Sequence, residues 1–284
     1  MQLYGIVVSK GELAGMLQSQ HTAWLPEYNH LRANIRAAPV VHVDETPWPI
    51  QANNRLGYAW VLADASSPRV AYALEQSRGA THAKELFGQE TNHPFAGIRV
   101  SDDYAAYRSE SLPGTQQLCW AHLYRCIRGV RYNGNLPEEQ TSYVTQWYEQ
   151  FATIYQGLRM YLEEPYDEVV RATQSSELWR QVQLLAKEEA PLKSGEPKKL
   201  AMLKAQALRV GRDRLFTCLT ADTPCDNNRA ERDLRQLVLK RKRSFGSQTQ
   251  KGAHALATIL SLCTTTWRIA QPTNYFKALS QLGV

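Results

Sequence analysis

Three apolar segments, VVHVDE (40–45), GYAWVLAD (57–64) and RVAYAL (69–74), follow one another within 35 residues. Each is rich in β-branched or aromatic side chains, and turn-forming residues separate them: Pro47-Trp48-Pro49 after the first, Ala65-Ser66-Ser67-Pro68 after the second. Strands so close in sequence have room only to fold back on one another, which predicts an antiparallel meander. Upstream, residues 9–36 carry Leu13, Met16, Leu17, Trp24, Leu25, Tyr28 and Leu31 at helical spacing. Downstream, the sequence predicts a helix over 77–88 closed by Gly88, a fourth strand over GIRVSDDY (97–104), and a short strand running into a helix over 116–130. A mostly helical block, 138–215, is broken at KSGEPKK (193–199), and helices resume over 227–240 and 252–269. The order predicts an α/β fold, a mixed sheet flanked by helices, with a helical insertion.

The chain has 284 residues, a formal charge of +6 and a pI near 9.0, a balance that favours an anionic partner, with nucleic acid first. No apolar run approaches the roughly 18 residues of a membrane span, and the charges near the amino terminus do not suit a secretory signal. A cytoplasmic location with no membrane partner is the expectation. The five cysteines are odd in number and scattered, which suits reduced thiols better than a disulfide framework.

Two acids, Asp44 and Asp102, stand at the carboxyl ends of predicted strands, the edge where chemistry collects in α/β sheets. A strand-ending aspartate is also an ordinary turn or capping residue. Two such carboxylates held close together repel unless a divalent cation lies between them, and Mg²⁺ takes oxygen ligands of this kind. A third candidate, Glu231, sits in CDNNRAERDLRQLVLKRKRS (225–244) among Arg229, Arg232, Arg235, Lys240, Arg241, Lys242 and Arg243. With Asp226 or Asn227 as N-cap, Ala230, Leu234, Leu237 and Val238 line one helical face, and Glu231 lies at its margin. Glu231 is equally spaced to pair with Arg235 at i+4.

VHVDETPW, VSDDYAAY, LCWAHLYR and CDNNRAERDLR…KRKRSFGSQTQKGAHALATILSLCTTTWRIAQPTNYF, in that order, resemble the insertion-sequence-66 family of bacterial transposases. The resemblance spans nearly the whole chain and is weakest over 131–215. It implies a DDE enzyme with a ribonuclease-H-like core. The regions implied are an N-terminal helical segment (1–37), the first part of the core (38–130), a helical insertion (131–222) between the second and third acids, and core completion (223–284). By resemblance Asp44, Asp102 and Glu231 are the catalytic, metal-binding acids, holding two Mg²⁺ ions with Mn²⁺ as substitute. Asp103 replaces the glycine of the family's D-G-Y, which leaves two neighbours for the second position; strand alternation favours Asp102. Asn227 and Asn228 match the family's paired asparagines as supporting residues.

Cys119 and His122 match a C-x-x-H element that lies near the catalytic site in several DDE groups, where His122 would contact the scissile phosphate or orient an acid. Zinc is the other reading, with Cys126 as a third ligand, but no second cluster completes a four-ligand set. The implied reaction is metal-dependent cleavage at transposon ends followed by attack of the freed 3′ hydroxyl on target DNA. The basic residues from Arg229 to Arg243 would neutralise phosphates; Phe245 and Trp267 are candidates to stack on bases, with core packing the favoured role for Trp267. DNA is the expected partner, bound by a homodimer or larger assembly. The family's usual upstream zinc-binding and helix-turn-helix regions have no counterpart here. Two further readings remain: an inactive DNA-binding or regulatory fragment of a decayed element, and a ribonuclease-H-like nuclease acting on RNA–DNA hybrids.

Overall fold

The computed structural model describes residues 2–3, 6–53, 55–109 and 111–282, with no side-chain description at 2, 3, 6, 7, 53, 55 and 271–273. The elements in chain order are β1 (Gln2–Leu3), β2 (Ile6–Val7), α1 (Lys10–Arg36), β3 (Val40–Ile50), β4 (Arg55–Asp64), β5 (Val70–Glu75), α2 (Ala80–Leu86), β6 (Ile98–Ser101) and β7 (Thr115–Leu118). Helices follow: α3 (Trp120–Arg131), α4 (Glu138–Glu163), α5 (Glu168–Lys187), α6 (Lys198–Val210), α7 (Arg212–Leu215), α8 (Thr217–Thr220), α9 (Asn228–Ser244) and α10 (Gln250–Ser280). The mixed five-stranded sheet has the order β5-β4-β3-β6-β7. The chain divides into two compact units: Met1–Arg99, Tyr104–Gly114 and Asn228–Val284 form one, Val100–Asp103 and Thr115–Asn227 the other.

In the first unit the expected meander is present, with β3–β4 and β4–β5 both antiparallel. Both sheet faces are covered, which is why YAWVLA in β4 is a continuous apolar run and not an alternating one. On one face Val41, Val43, Trp60 and Leu62 pack against Trp24, Tyr28, Leu31 and Ile35 of α1. Trp48, Ile50, Val61 and Tyr72, on the other, pack against Ala230, Leu234 and Leu237 of α9 and Ala253 and Ala257 of α10. A capping box at Ser9 and Glu12 starts α1. Leu13, Met16, Leu17 and Leu25, read as part of its apolar stripe, are exposed; Trp24, Tyr28, Leu31 and Ile35 do the packing.

β3 runs past its expected end. Pro47 and Pro49 stand opposite Tyr58 and Leu56 in the ladder. The carbonyl of Pro49 accepts from the Ser247 N–H (3.0 Å) and that of Pro47 from Arg241. Both prolines therefore turn their backbone polar groups away from β4, and no ladder bond needs the N–H they lack.

The outer strand β5 is closed off by α10. The Thr265 hydroxyl accepts from the Val70 N–H (3.1 Å) and donates to the Val70 carbonyl (3.0 Å). One turn earlier Ser261 Oγ accepts from the Tyr72 N–H (2.8 Å), and Gln250 donates to the Leu74 carbonyl (2.9 Å). Four helical residues rise about 6 Å and two strand residues about 6.8 Å, so helix positions i and i+4 meet strand positions j and j−2.

The second unit is built on aromatic packing. Trp120 stacks on Phe151 (5.6 Å) and Tyr155 (5.8 Å) and meets Phe216 at 5.2 Å, while its indole N–H donates to the Leu215 carbonyl (2.6 Å). Lys204 is buried and satisfied by Glu196 (2.5 Å), the Tyr143 hydroxyl and the Glu188 carbonyl (both 2.8 Å). Besides the expected break at 193–199, the helical block is interrupted at 164–167, where Pro165 follows the end of α4.

Candidate active site

The first unit holds Asp44 and Glu231. Asp44 is the fifth of eleven residues in β3, inside the strand and not at its carboxyl end as the sequence predicts, because the prolines continue the ladder beyond it. Alternation fixes its direction. Trp48 and Ile50 pack on the α9 side, and Thr46 accepts from Arg241 of α9 (3.1 Å), so Asp44 shares that face. Glu45 points the other way, buried against Arg78 (2.6 Å) and the Tyr107 hydroxyl.

Two contacts orient α9. Near its start Arg229 donates to the Ser67 carbonyl (2.9 Å), just beyond Asp64, which pairs with Val41; near its end Arg241 reaches Thr46 and Pro47. The helix therefore runs in the same direction as β3. Ten residues separate Glu231 from Arg241, about 15 Å of helix, which is about four to five residues of strand. Counted back from Thr46 and Pro47, this puts Glu231 level with about residues 42–43 of β3, a residue or two before Asp44, in the first turn of α9, where the helix dipole also favours an acid.

Basic residues on α9 divide into two groups. Arg229 is held by Ser67 and by buried Asp233 (3.3 Å), which Arg268 of α10 also grips, and Arg241 is bonded to β3. Burial works against the charge on Arg268, and its bonds to Asp233 outweigh that and raise its pKa. Arg232, Arg235, Lys240, Lys242 and Arg243 are exposed along the same helix. The internal role of Asp233 was not readable, since its second partner lies 35 residues away.

Asp102 belongs to the second unit and directly follows β6, as expected. Its neighbour Asp103 is committed to the fold: its carboxylate accepts from Gln206 (2.8 Å), Arg214 (3.4 Å) and Arg209. In the same unit the C-x-x-H element and the asparagine motif interlock. Buried Cys119, at the start of α3, accepts on Sγ from the N–H of fully buried Asn227 (3.1 Å), and the Trp120 N–H donates to the Cys225 carbonyl (2.9 Å). Cys119 is thereby a structural pin for the segment leading to Asn228, which opens α9. His122 is half-buried in the first turn of α3, and Cys126 is exposed.

Among the described residues no group of three or more His, Cys, Asp or Glu side chains is set to hold a metal. Asp44 and Glu231 lie in one unit and Asp102 in the other. The three candidates are all carboxylates, the hard oxygen donors that Mg²⁺ and Mn²⁺ take, so their chemistry fits those ions. Trp267 departs from the favoured core-packing reading: it is 50% exposed, edge-on to Tyr275 at 5.1 Å, and is not a core residue. No helix among the described residues is long and apolar enough to cross a membrane.

The model of the transposase IS66 family matches residues 1–255. The chain belongs to the IS66 transposase family. The matched span carries Asp44, Asp102, His122 and Glu231. An uncharacterized protein of Sinorhizobium fredii, y4hP, is 26% identical over 293 residues, covering 92% of this chain and 50% of the relative. The chain thus spans about half the length of that relative.

Proposed function

We propose that this chain is the catalytic part of a DDE transposase, acting in the cytoplasm on DNA as a dimer or larger assembly. What supports the reading is that Asp44 lies in β3, whose alternate residues Trp48 and Ile50 pack on the α9 side, and that Glu231 lies in the first turn of α9, a helix whose exposed side is basic. Asp44, Glu231 and Asp102 would hold Mg²⁺ or Mn²⁺. When bound, such ions polarise the scissile phosphate and lower the pKa of an attacking water or hydroxyl.

The chain's own contribution is positioning. Ala230, Leu234 and Leu237 fix the α9 register against the sheet, which sets the direction of Glu231. Arg232 and Arg235 lie on the same side of the helix as Glu231, where they would neutralise the phosphates flanking the bond to be cut. His122 would orient an acid or contact the scissile phosphate, and Cys119 supports the segment through Asn227.

The test is nicking of duplex DNA carrying the element's ends, with Mg²⁺, with Mn²⁺ and with chelator. Asp44→Ala and Glu231→Gln are expected to reduce cleavage by at least a hundredfold while the folded protein persists, and chelator to abolish it. Undiminished cleavage by either variant would remove the assignment. If titration of Mn²⁺ into the wild type and Asp44→Ala gave the same binding, the chain would be an inert fragment.

A further inference from the structure

Phe245 occupies a position that stability alone does not explain. It follows the last residue of α9 with φ +57°, the left-handed conformation that helix ends usually give to glycine, and its ring is 73% exposed. A side chain beyond Cβ is unfavourable in that conformation, and a phenyl ring gains nothing there from burial. Gly246, with φ +104°, is required next, because a Cβ there would come within 2.1 Å of the Pro49 carbonyl oxygen. The turn is clamped further by the Ser247–Ile50 bridge and by the Trp48 indole N–H donating to Ser247 Oγ (3.0 Å). The ring is therefore held out from a rigid support.

Immediately beside it, Ser244 and Gly246 border a groove of about 520 Å³. Leu17, Leu256 and Ile259 are among its apolar lining residues, and Lys240 and Gln248 among its polar ones. Exposed Lys242 and Arg243 adjoin the same turn. An apolar lining with an amide side chain, an exposed aromatic ring next in sequence to two of the lining residues, and several cations match one kind of occupant: a base out of its stack, with its phosphates on the cations.

We propose that Phe245 and this groove form a binding site for an unstacked nucleobase, with Phe245 taking the place of the lost stacking neighbour. The proposal rests on the DNA reading above and adds the local state of the DNA that this face selects.

Binding of a duplex with one bulged base, compared with the fully paired duplex by fluorescence anisotropy, tests it. The wild type is expected to prefer the bulged duplex. Phe245→Ala should weaken that binding roughly tenfold, leave the paired duplex within about twofold, and leave the salt dependence unchanged. Phe245→Trp should keep the preference, and Ala14→Trp, which fills the groove from α1, should remove it. Equal affinity of the wild type for both duplexes overturns the site, as does an unchanged or uniformly weakened Phe245→Ala. Loss of metal-dependent nicking in Asp44→Ala, read separately, tells failure of this site from failure of the catalytic reading.

Discussion

Among the acids, the folded chain separates those that hold the structure from those proposed for chemistry. Glu45, Asp103 and Asp233 each meet arginine inside their own unit. For the neighbours Asp102 and Asp103, whose roles the sequence left open, opposite outcomes are expected. Asp103→Asn should lower the urea midpoint while keeping metal-dependent cleavage; Asp102→Asn should keep the midpoint and lose cleavage. Asp233→Asn should cost about 2–3 kcal/mol in urea melts, since it leaves two arginines facing a neutral group in a buried site. Titration gives another check. Burial, then the charge of Asp226, pushes the Cys225 thiol up to about 11. The folded state keeps that proton above the pH where the unfolded chain releases it. Its stabilising contribution is thus intact below the ordinary thiol range and is lost as pH rises toward about 11. The loss is on the order of 2 kcal/mol, read from melts between pH 8 and 11, and Cys225→Ala should flatten the profile. The distant partners were not legible in the sequence: Asp103 meets arginines 106 and 111 positions away, and Cys119 meets an N–H 108 positions away.

Elements were more readable than their ends. The meander, the strand leading to Asp102, the strand–helix junction at Cys119 and the helix bearing Glu231 all follow from local pattern, because each hydrophobic run is long enough to show its period. The end of β3 did not, since Pro-Trp-Pro reads as a turn unless the strand's free side is known. The amino-terminal half of α1 misled for a related reason: periodicity marks apolar residues without saying whether anything covers them. The turn after α9 offers a paired test of backbone strain. Phe245→Gly is expected to raise stability by about 1 kcal/mol by relieving the left-handed residue. Gly246→Ala should lower it by about 2 kcal/mol or more, because its Cβ would strike the Pro49 carbonyl. Thermal melts of both variants would show shifts of opposite sign.

For the molecule as a whole, the net charge of +6 has a structural location in the exposed side of α9. Arg232, Arg235, Lys240, Lys242 and Arg243 together should give a slope of about −4 to −5 in log K against log salt for duplex DNA, and each charge removed should reduce it by about one. The clamp of α10 on β5 also bears on how the protein is made. Thr265 leaves the ribosome about 190 residues after Glu75, roughly 10–40 s at bacterial elongation rates. Throughout that interval the Val70 N–H and C=O, the Tyr72 N–H and the Leu74 C=O lack the partners that α10 supplies and can pair with another extended chain. Chains that stop before α10 should therefore aggregate during synthesis, so that prematurely terminated products collect in the insoluble fraction while the finished protein does not.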